Sequence, residues 1–195
     1  LITYLFQQMS SHSIQQTKNL LKQFFGFTDF KGQQEPAIES ILSGKDVFVM
    51  MPTGGGKSLC FQLPALQMEG VTVVVSPLIA LMKDQVDGLK ANGVEAEFLN
   101  SSLNQNEISE ICERLERNEI KILYIAPERL GMDSFKDFLY GLKISLVAID
   151  EAHCVSQWGH DFRKDYLLLN RLEQAFPNVP RMALTATATE RTKSE

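Results

Sequence analysis

The stretch Val47-Phe48-Val49-Met50-Met51-Pro52-Thr53-Gly54-Gly55-Gly56-Lys57-Ser58 runs from a β-branched, apolar segment into three consecutive glycines and then Lys-Ser. The apolar half reads as a buried strand, and the residues from Ser58 onward have helical spacing. Between them the glycines free the backbone to curl, so that successive N–H groups point inward as a cradle for phosphate oxygens. The helix that follows adds the partial positive charge of its N-terminus. In such a loop Lys57 reaches the outer phosphates of a nucleotide and Ser58 ligates Mg²⁺. The strict pattern G-x-x-x-x-G-K-[ST] asks for Gly at position 51, where this chain has Met. A glycine-rich turn that merely happens to precede Lys-Ser is the bland alternative. A strand before the turn and a helix after it speak against that alternative.

Outward from this loop the same alternation repeats. Short apolar runs at Val47–Met51, Val71–Ser76, Ala96–Asn100, Lys121–Ala126, Ser145–Asp150 and Arg181–Thr185 predict strands covered on both faces. Ser58–Met68, Ile79–Asn92, Gln105–Asn118 and Tyr166–Phe176 predict the helices between them. Strand–helix alternation specifies βαβ units, hence an α/β fold with a parallel, doubly wound sheet. In that fold ligands bind beyond the carboxyl ends of the strands. No internal repeat or low-complexity linker interrupts the pattern.

Composition bounds the reading without deciding it. A chain of 195 residues with 44% hydrophobic and 22% charged residues is an ordinary globular domain. The net charge of −5 and the lack of any Lys/Arg run leave nucleic-acid contacts to a few placed groups. No apolar stretch reaches the roughly eighteen residues of a membrane span, so no membrane partner is expected. The apolar run Leu1–Phe6 is too short, and lacks the basic lead, for a signal peptide. Residues 1–19 read as a tail or the start of a first helix, and 20–195 as the domain. Cys60, Cys112 and Cys154 form no C-x-x-C pair, which predicts reduced thiols, a cytoplasmic setting and no zinc site.

A second cluster closes the strand Ser145–Asp150. There Asp150 is placed to hold Mg²⁺ and Glu151 to polarise an attacking water. A solvated acidic strand end is common by itself, but it is much less so beside a phosphate loop.

Asp150-Glu151-Ala152-His153, taken with Met51–Ser58, resembles the superfamily 2 helicases, whose phosphate loop often carries Ala or Met where the strict pattern has its first glycine. The stretch from His153 to Arg163, which includes Trp158, His160 and Phe162, resembles the aromatic-rich loop of RecQ helicases. Phe25-Gly26-Phe27, Phe30-Lys31-Gly32-Gln33-Gln34, Ser76–Met82, Pro127-Glu128-Arg129-Leu130 and Leu184–Thr189 add to the likeness, which runs from about Leu20 to Thr189. On this basis the chain is identified with the first RecA-like domain of the RecQ family.

The resemblance implies an ATP-binding lobe of a DNA helicase acting in repair and recombination. Lys57, Asp150 and Glu151 would be catalytic, Ser58 and Asp150 would hold Mg²⁺, and Thr53, Gly54, Gly55, Gly56, Lys57 and Ser58 would hold the phosphates. Gln34 would read adenine, since an amide can donate and accept at once. Phe27 would stack on the base with Lys31 nearby, and Gln33 is the neighbour a register error would choose. Trp158 and Phe162 alone favour core packing; the resemblance reverses that and makes them a platform for unpaired bases. Arg163 is left between a DNA phosphate and a relay to ATP. His153 is expected to couple Glu151 to Thr185-Ala186-Thr187, with His160 in the coupling loop. Ser76, Asn100 and Arg129 suit phosphate contacts on single-stranded and duplex DNA. A second RecA-like lobe is the expected partner, with the chain as one lobe of a larger motor and a poor catalyst alone. Cytoplasmic placement leaves room for nucleoid association of the bacterial type. An RNA-remodelling helicase is the rival enzyme reading, disfavoured by the aromatic-rich loop. An ATP-regulated scaffold is the rival binding reading, disfavoured by intact Lys57, Ser58, Asp150 and Glu151.

Overall fold

The computed structural model describes the backbone of residues 2–155 and 164–186, with side chains from Ile14 onward except at 155 and 164. Trp158, His160, Phe162, Arg163 and Thr187 lie outside the described residues.

Among the described residues, six strands form one sheet: β1 (Val47–Met50), β2 (Val71–Val75), β3 (Ala96–Leu99), β4 (Ile122–Ile125), β5 (Ile144–Ile149) and β6 (Arg181–Thr185). Their order is β1-β6-β5-β2-β4-β3, and every pairing is parallel. This is the doubly wound α/β sheet that the sequence predicts. Strands β1 to β5 each end one residue inside the expected range, where the ladder gives way to loop, and β6 matches its range.

Among the described residues, seven helices flank the sheet: α1 (Ile2–Phe25), α2 (Gln34–Leu42), α3 (Leu59–Gln67), α4 (Ile79–Ala91), α5 (Gln105–Glu116), α6 (Asp133–Tyr140) and α7 (Leu169–Ala175). From β1 to β2 and from β2 to β3 the chain steps toward one sheet edge; from β3 onward it steps back. Parallel crossovers share one handedness, so reversing the direction of travel moves the connecting helices to the opposite face. The side-chain clusters agree. Val74, Tyr124 and Leu146 pack with residues of α2, α3 and α4. Val73, Val75, Leu123 and Val147 pack with residues of α5, α6 and α7 on the other side. Successive residues of one strand thus serve two cores, which is why β2 and β4 are buried along their whole length. Each fully buried Leu, Ile or Val side chain contributes about 1.5–3 kcal/mol to this arrangement.

Residues 2–19 are helical and belong to α1. Ile14 and Leu21 pack with Ile38 of α2 and Leu63 of α3, and Thr17 Oγ1 donates to Gln67 Oε1 at 2.7 Å. Two short helices, α2 and α6, have no counterpart among the helices read from the sequence. The segment expected to be helical from Tyr166 begins instead as a tight 3₁₀ turn, Lys164–Leu168, before α7.

At the amino end of β2, Gly70 adopts φ +115° with the Lys143 carbonyl directly where a Cβ would project. That close approach lets Val71 N–H donate to Lys143 O at 2.8 Å and start the β2–β5 pairing. Gly70→Ala should therefore destabilise the domain by about 1–3 kcal/mol, read as a lower urea midpoint at unchanged slope.

Candidate nucleotide site

The carboxyl ends of β1, β6 and β5 stand side by side. Past β1 the chain enters Met51–Ser58, where Gly54 and Gly56 both adopt φ +78°, a conformation that side chains with a Cβ disfavour. A Cβ on Gly55 would sit 2.9 Å from Pro52 O, and one on Gly56 would run into the Gln34 amide nitrogen. The loop is therefore folded as tightly as glycine permits. Lys57 curls back over it, Nζ donating to Met51 O at 3.2 Å. Ser58 precedes the first turn of α3, and its side chain makes no capping bond. Thr53 is exposed at the tip of the loop.

Gln34, at the start of α2, is 2% exposed. Its Oε1 accepts from Lys31 N–H at 2.8 Å and its Nε2 donates to Gly56 O at 3.0 Å. One buried amide thus ties the Phe30–Gln34 segment to the glycine loop. Phe27 is 47% exposed, with Lys31 Nζ 5.5 Å from its ring centroid. Gln33 caps α2 without using its side chain.

Asp150 continues β5 by one hydrogen bond, its N–H donating to Val75 O at 2.9 Å. The chain then leaves the sheet abruptly, with Glu151 at φ +50°. A non-glycine residue held there costs about 1–3 kcal/mol and calls for an explanation at the site. Glu151 N–H donates back to Asp150 Oδ1 at 3.0 Å. From Glu151 a polar chain runs across the strand ends to the glycine loop. His153 Nδ1 lies 3.2 Å from Glu151 Oε2 and 3.1 Å from Thr185 Oγ1. Thr185 O accepts from Met51 N–H at 3.1 Å. The ring nitrogen is thus within hydrogen-bond distance of both the Glu151 carboxylate and the Thr185 hydroxyl.

Burial pushes the Asp150 carboxyl up to about 6, and the negative charge of Glu151 adds to the rise. The Glu151 N–H bond and the charges of Lys57 and His153 pull the other way without cancelling it.

The other predicted polar residues gather at the far side of the same edge. Ser76 and Asn100 are buried after β2 and β3, at 1% and 0% exposure. Asn100 Oδ1 accepts from the backbone and hydroxyl of Ser102, at 2.8 and 2.6 Å, and Asn100 O accepts from Arg129 Nη2 at 2.7 Å. Ser76 Oγ and Asn100 Nδ2 find no partner among the described residues. Two residues with a part here were absent from the sequence reading. Ser102 stands exposed on the Asn100 carboxamide, and Tyr166, 1% exposed, donates from its hydroxyl to Asp150 O at 2.9 Å. For Tyr166 a signal existed: a tyrosine in an apolar segment must find a hydrogen-bond partner.

Comparison with known proteins bears on this arrangement directly. The DEAD/DEAH box helicase family model matches residues 31–195. The chain belongs to the DEAD/DEAH box helicase family. This helicase domain is 49% identical over 177 residues to the ATP-dependent DNA helicase RecQ of Haemophilus influenzae, a match that takes in 91% of this chain and 29% of that protein. It is 52% identical over 180 residues to the probable ATP-dependent DNA helicase RecS of Bacillus subtilis, covering 92% of this chain and 35% of that one. The chain thus spans about a third of the length of these curated relatives, and the RecQ likeness extends along nearly all of it. Among solved structures, the DUF1998 helicase MrfA superposes with a TM-score of 0.70 at 16% identity, over 94% of this chain and 30% of its own. The Mycobacterium smegmatis helicase Lhr, solved with ssDNA and AMP-PNP, superposes at 0.66 and 23% identity, over 85% of this chain and 24% of its own. Both show the RecA-like fold. Among the described residues, no helix of the domain is long and apolar enough to cross a membrane.

The raised Asp150 carboxyl has a sign that can be checked. Its folded value of about 6 lies above the ordinary 3.8, so the protonated form is favoured in the fold and ionisation opposes folding as pH rises from about 4 to 6. Asp150→Asn removes that opposition while keeping an acceptor for Glu151 N–H. Relative to wild type, the variant should be more stable by about 1–2 kcal/mol at pH 7, after allowing for the water that still reaches the group. The gain should vanish below pH 4, as followed by urea unfolding across the pH range.

Proposed function

We propose that this chain is the nucleotide-binding lobe of an ATP-dependent DNA helicase, a RecQ-type motor that couples hydrolysis to movement on single-stranded DNA. What carries the reading is the bonded path from Met51 at the glycine loop through Thr185 and His153 to Glu151. It sets a phosphate cradle and a candidate base on one rim of one sheet.

The chain's own residues divide the work. The backbone of Thr53–Gly56, with no Cβ in the way at Gly54–Gly56, closes on phosphate oxygens, and the start of α3 faces them with its partial positive charge. Lys57 exchanges the Met51 carbonyl for the outer phosphates, giving a shorter and stronger charge-assisted contact. Glu151, held by His153, orients the attacking water and takes its proton. Ser58 and Asp150 are hard oxygen donors of the kind Mg²⁺ takes and would hold it there. Mg²⁺, when bound, supplies charge neutralisation at the phosphates. Gln34 reads adenine by turning one side of its amide from Gly56 O to the base, so that base recognition and loop position share one group. Phe27, half-exposed, stacks on the base. Along the same edge Arg129 and Ser102 face DNA phosphates, while Ser76 and Asn100, buried behind them, touch none directly and support that edge. Trp158, His160, Phe162, Arg163 and Thr187 take the coupling role that the RecQ likeness implies. A second RecA-like lobe supplies the arginine that stabilises the transition state, an effect on the order of 10³–10⁵ in rate.

Several measurements test this reading. Lys57→Ala should weaken Mg²⁺–ADP binding by about 1.5–3 kcal/mol by calorimetry, and equal affinity would refute the loop assignment. Gln34→Ala should lose about tenfold or more of the preference for ATP over GTP. Loss in Gln33→Ala instead would place the reader one residue earlier. In the full-length parent, single-stranded DNA should stimulate ATP hydrolysis more than RNA does. Glu151→Gln should abolish that turnover while nucleotide still binds.

A further inference from the structure

Tyr166 is a buried tyrosine to which the reading above gives no part, and its hydroxyl meets the main chain at one significant bond. The Asp150–Glu151 peptide has its carbonyl oxygen 2.9 Å from Tyr166 Oη and its N–H 3.0 Å from Asp150 Oδ1. The two bonds hold opposite ends of a single planar unit, so the plane cannot rotate without breaking both. Rotation of that plane sets ψ of Asp150 and φ of Glu151, and φ of Glu151 is the strained +50° that aims its carboxylate at His153. An unstrained alternative lies close by for any non-glycine residue there, and something outside the turn must hold it off. The ring of Tyr166 is anchored for that task. It is 1% exposed, in the 3₁₀ turn Lys164–Leu168 that packs on the turn Ala152–Val155 and on the Pro127–Gly131 turn after β4.

We propose that Tyr166 is a positioning residue for hydrolysis: its hydroxyl locks the Asp150–Glu151 peptide so that Glu151 stands where it orients the attacking water. The inference rests on the proposed roles of Asp150 and Glu151. It adds that their geometry is imposed from the segment directly following the aromatic-rich stretch, and not by the sheet alone. Tyr166 touches no reacting atom. Its loss should therefore appear in the rate of the chemical step and not in nucleotide binding.

The test is Tyr166→Phe in the full-length parent, which removes one oxygen and keeps the ring. The DNA-stimulated kcat for ATP should fall about tenfold, with KM for ATP changed by less than about twofold. The melting temperature should move by no more than about 4 °C. In ¹⁵N-labelled protein the Glu151 amide should exchange about tenfold faster, while the Val73 and Val74 amides of β2 keep their protection. Wild-type kcat with wild-type Glu151 exchange would overturn the inference. So would a large fall in melting temperature with loss of β2 protection, because that would make the hydroxyl a contact of the fold. Glu151→Gln, measured alongside, separates the two levels. If Glu151→Gln still turns over, the assignment of Glu151 itself has failed. If it is dead while Tyr166→Phe is fully active, only the positioning role has.

Discussion

Val73, Val74 and Val75 of β2 are all excluded from water, one side of the strand against α5–α7 and the other against α2–α4. This burial on both faces at the middle of the sheet is the constraint around which the chain is arranged. A strand covered on both faces has no side on which to carry polar chemistry, so polar groups must leave at its ends. Because all six strands are parallel, they leave together at one edge. Met51, Ser76, Asn100, Asp150 and Thr185 each immediately follow or close a strand. Their gathering at one rim is a consequence of sheet direction and not of any attraction among them.

What joins the members of that rim is a set of main-chain contacts more than a set of ion pairs. Met51 N–H reaches Thr185 O, Arg129 reaches Asn100 O, Gln34 reaches Gly56 O, Lys57 reaches Met51 O, and Tyr166 reaches Asp150 O. A backbone carbonyl just beyond a strand has lost its ladder partner and is costly to leave buried and unpaired. Side chains that satisfy it also fix the loop's path. Lys57 and Gln34 hold the glycine loop closed through Met51 O and Gly56 O.

The charge distribution follows the same logic. Arg114 collects Glu95, Glu97 and Glu119 around the outer strand β3, away from the nucleotide rim. At the rim itself Asp150 and Glu151 are adjacent, and burial together with their mutual repulsion raises the Asp150 carboxyl. Lys57 and His153 offset that only in part.

Strand positions, the parallel sheet, the glycine loop with Lys57-Ser58, and the acidic pair closing β5 were legible in the sequence, because each is a local property: a period, a turn chemistry, or a charged residue ending an apolar run. Met51 in place of glycine did not disturb that reading, since it tucks beneath the loop beside Gly55 and Gly32. Helices α2 and α6 were not read from the sequence. Neither was the wiring of the site. That Gln34 would spend both ends of its amide on Lys31 and Gly56, and that Tyr166 would close on Asp150 O, depends on pairs 22 and 16 positions apart that the packing brings together; the link from Glu151 through His153 to Thr185 was expected only from the family resemblance. Local sequence decides which residues can bond. Only the strand order β1-β6-β5 and the packing behind it decide which of them come within reach.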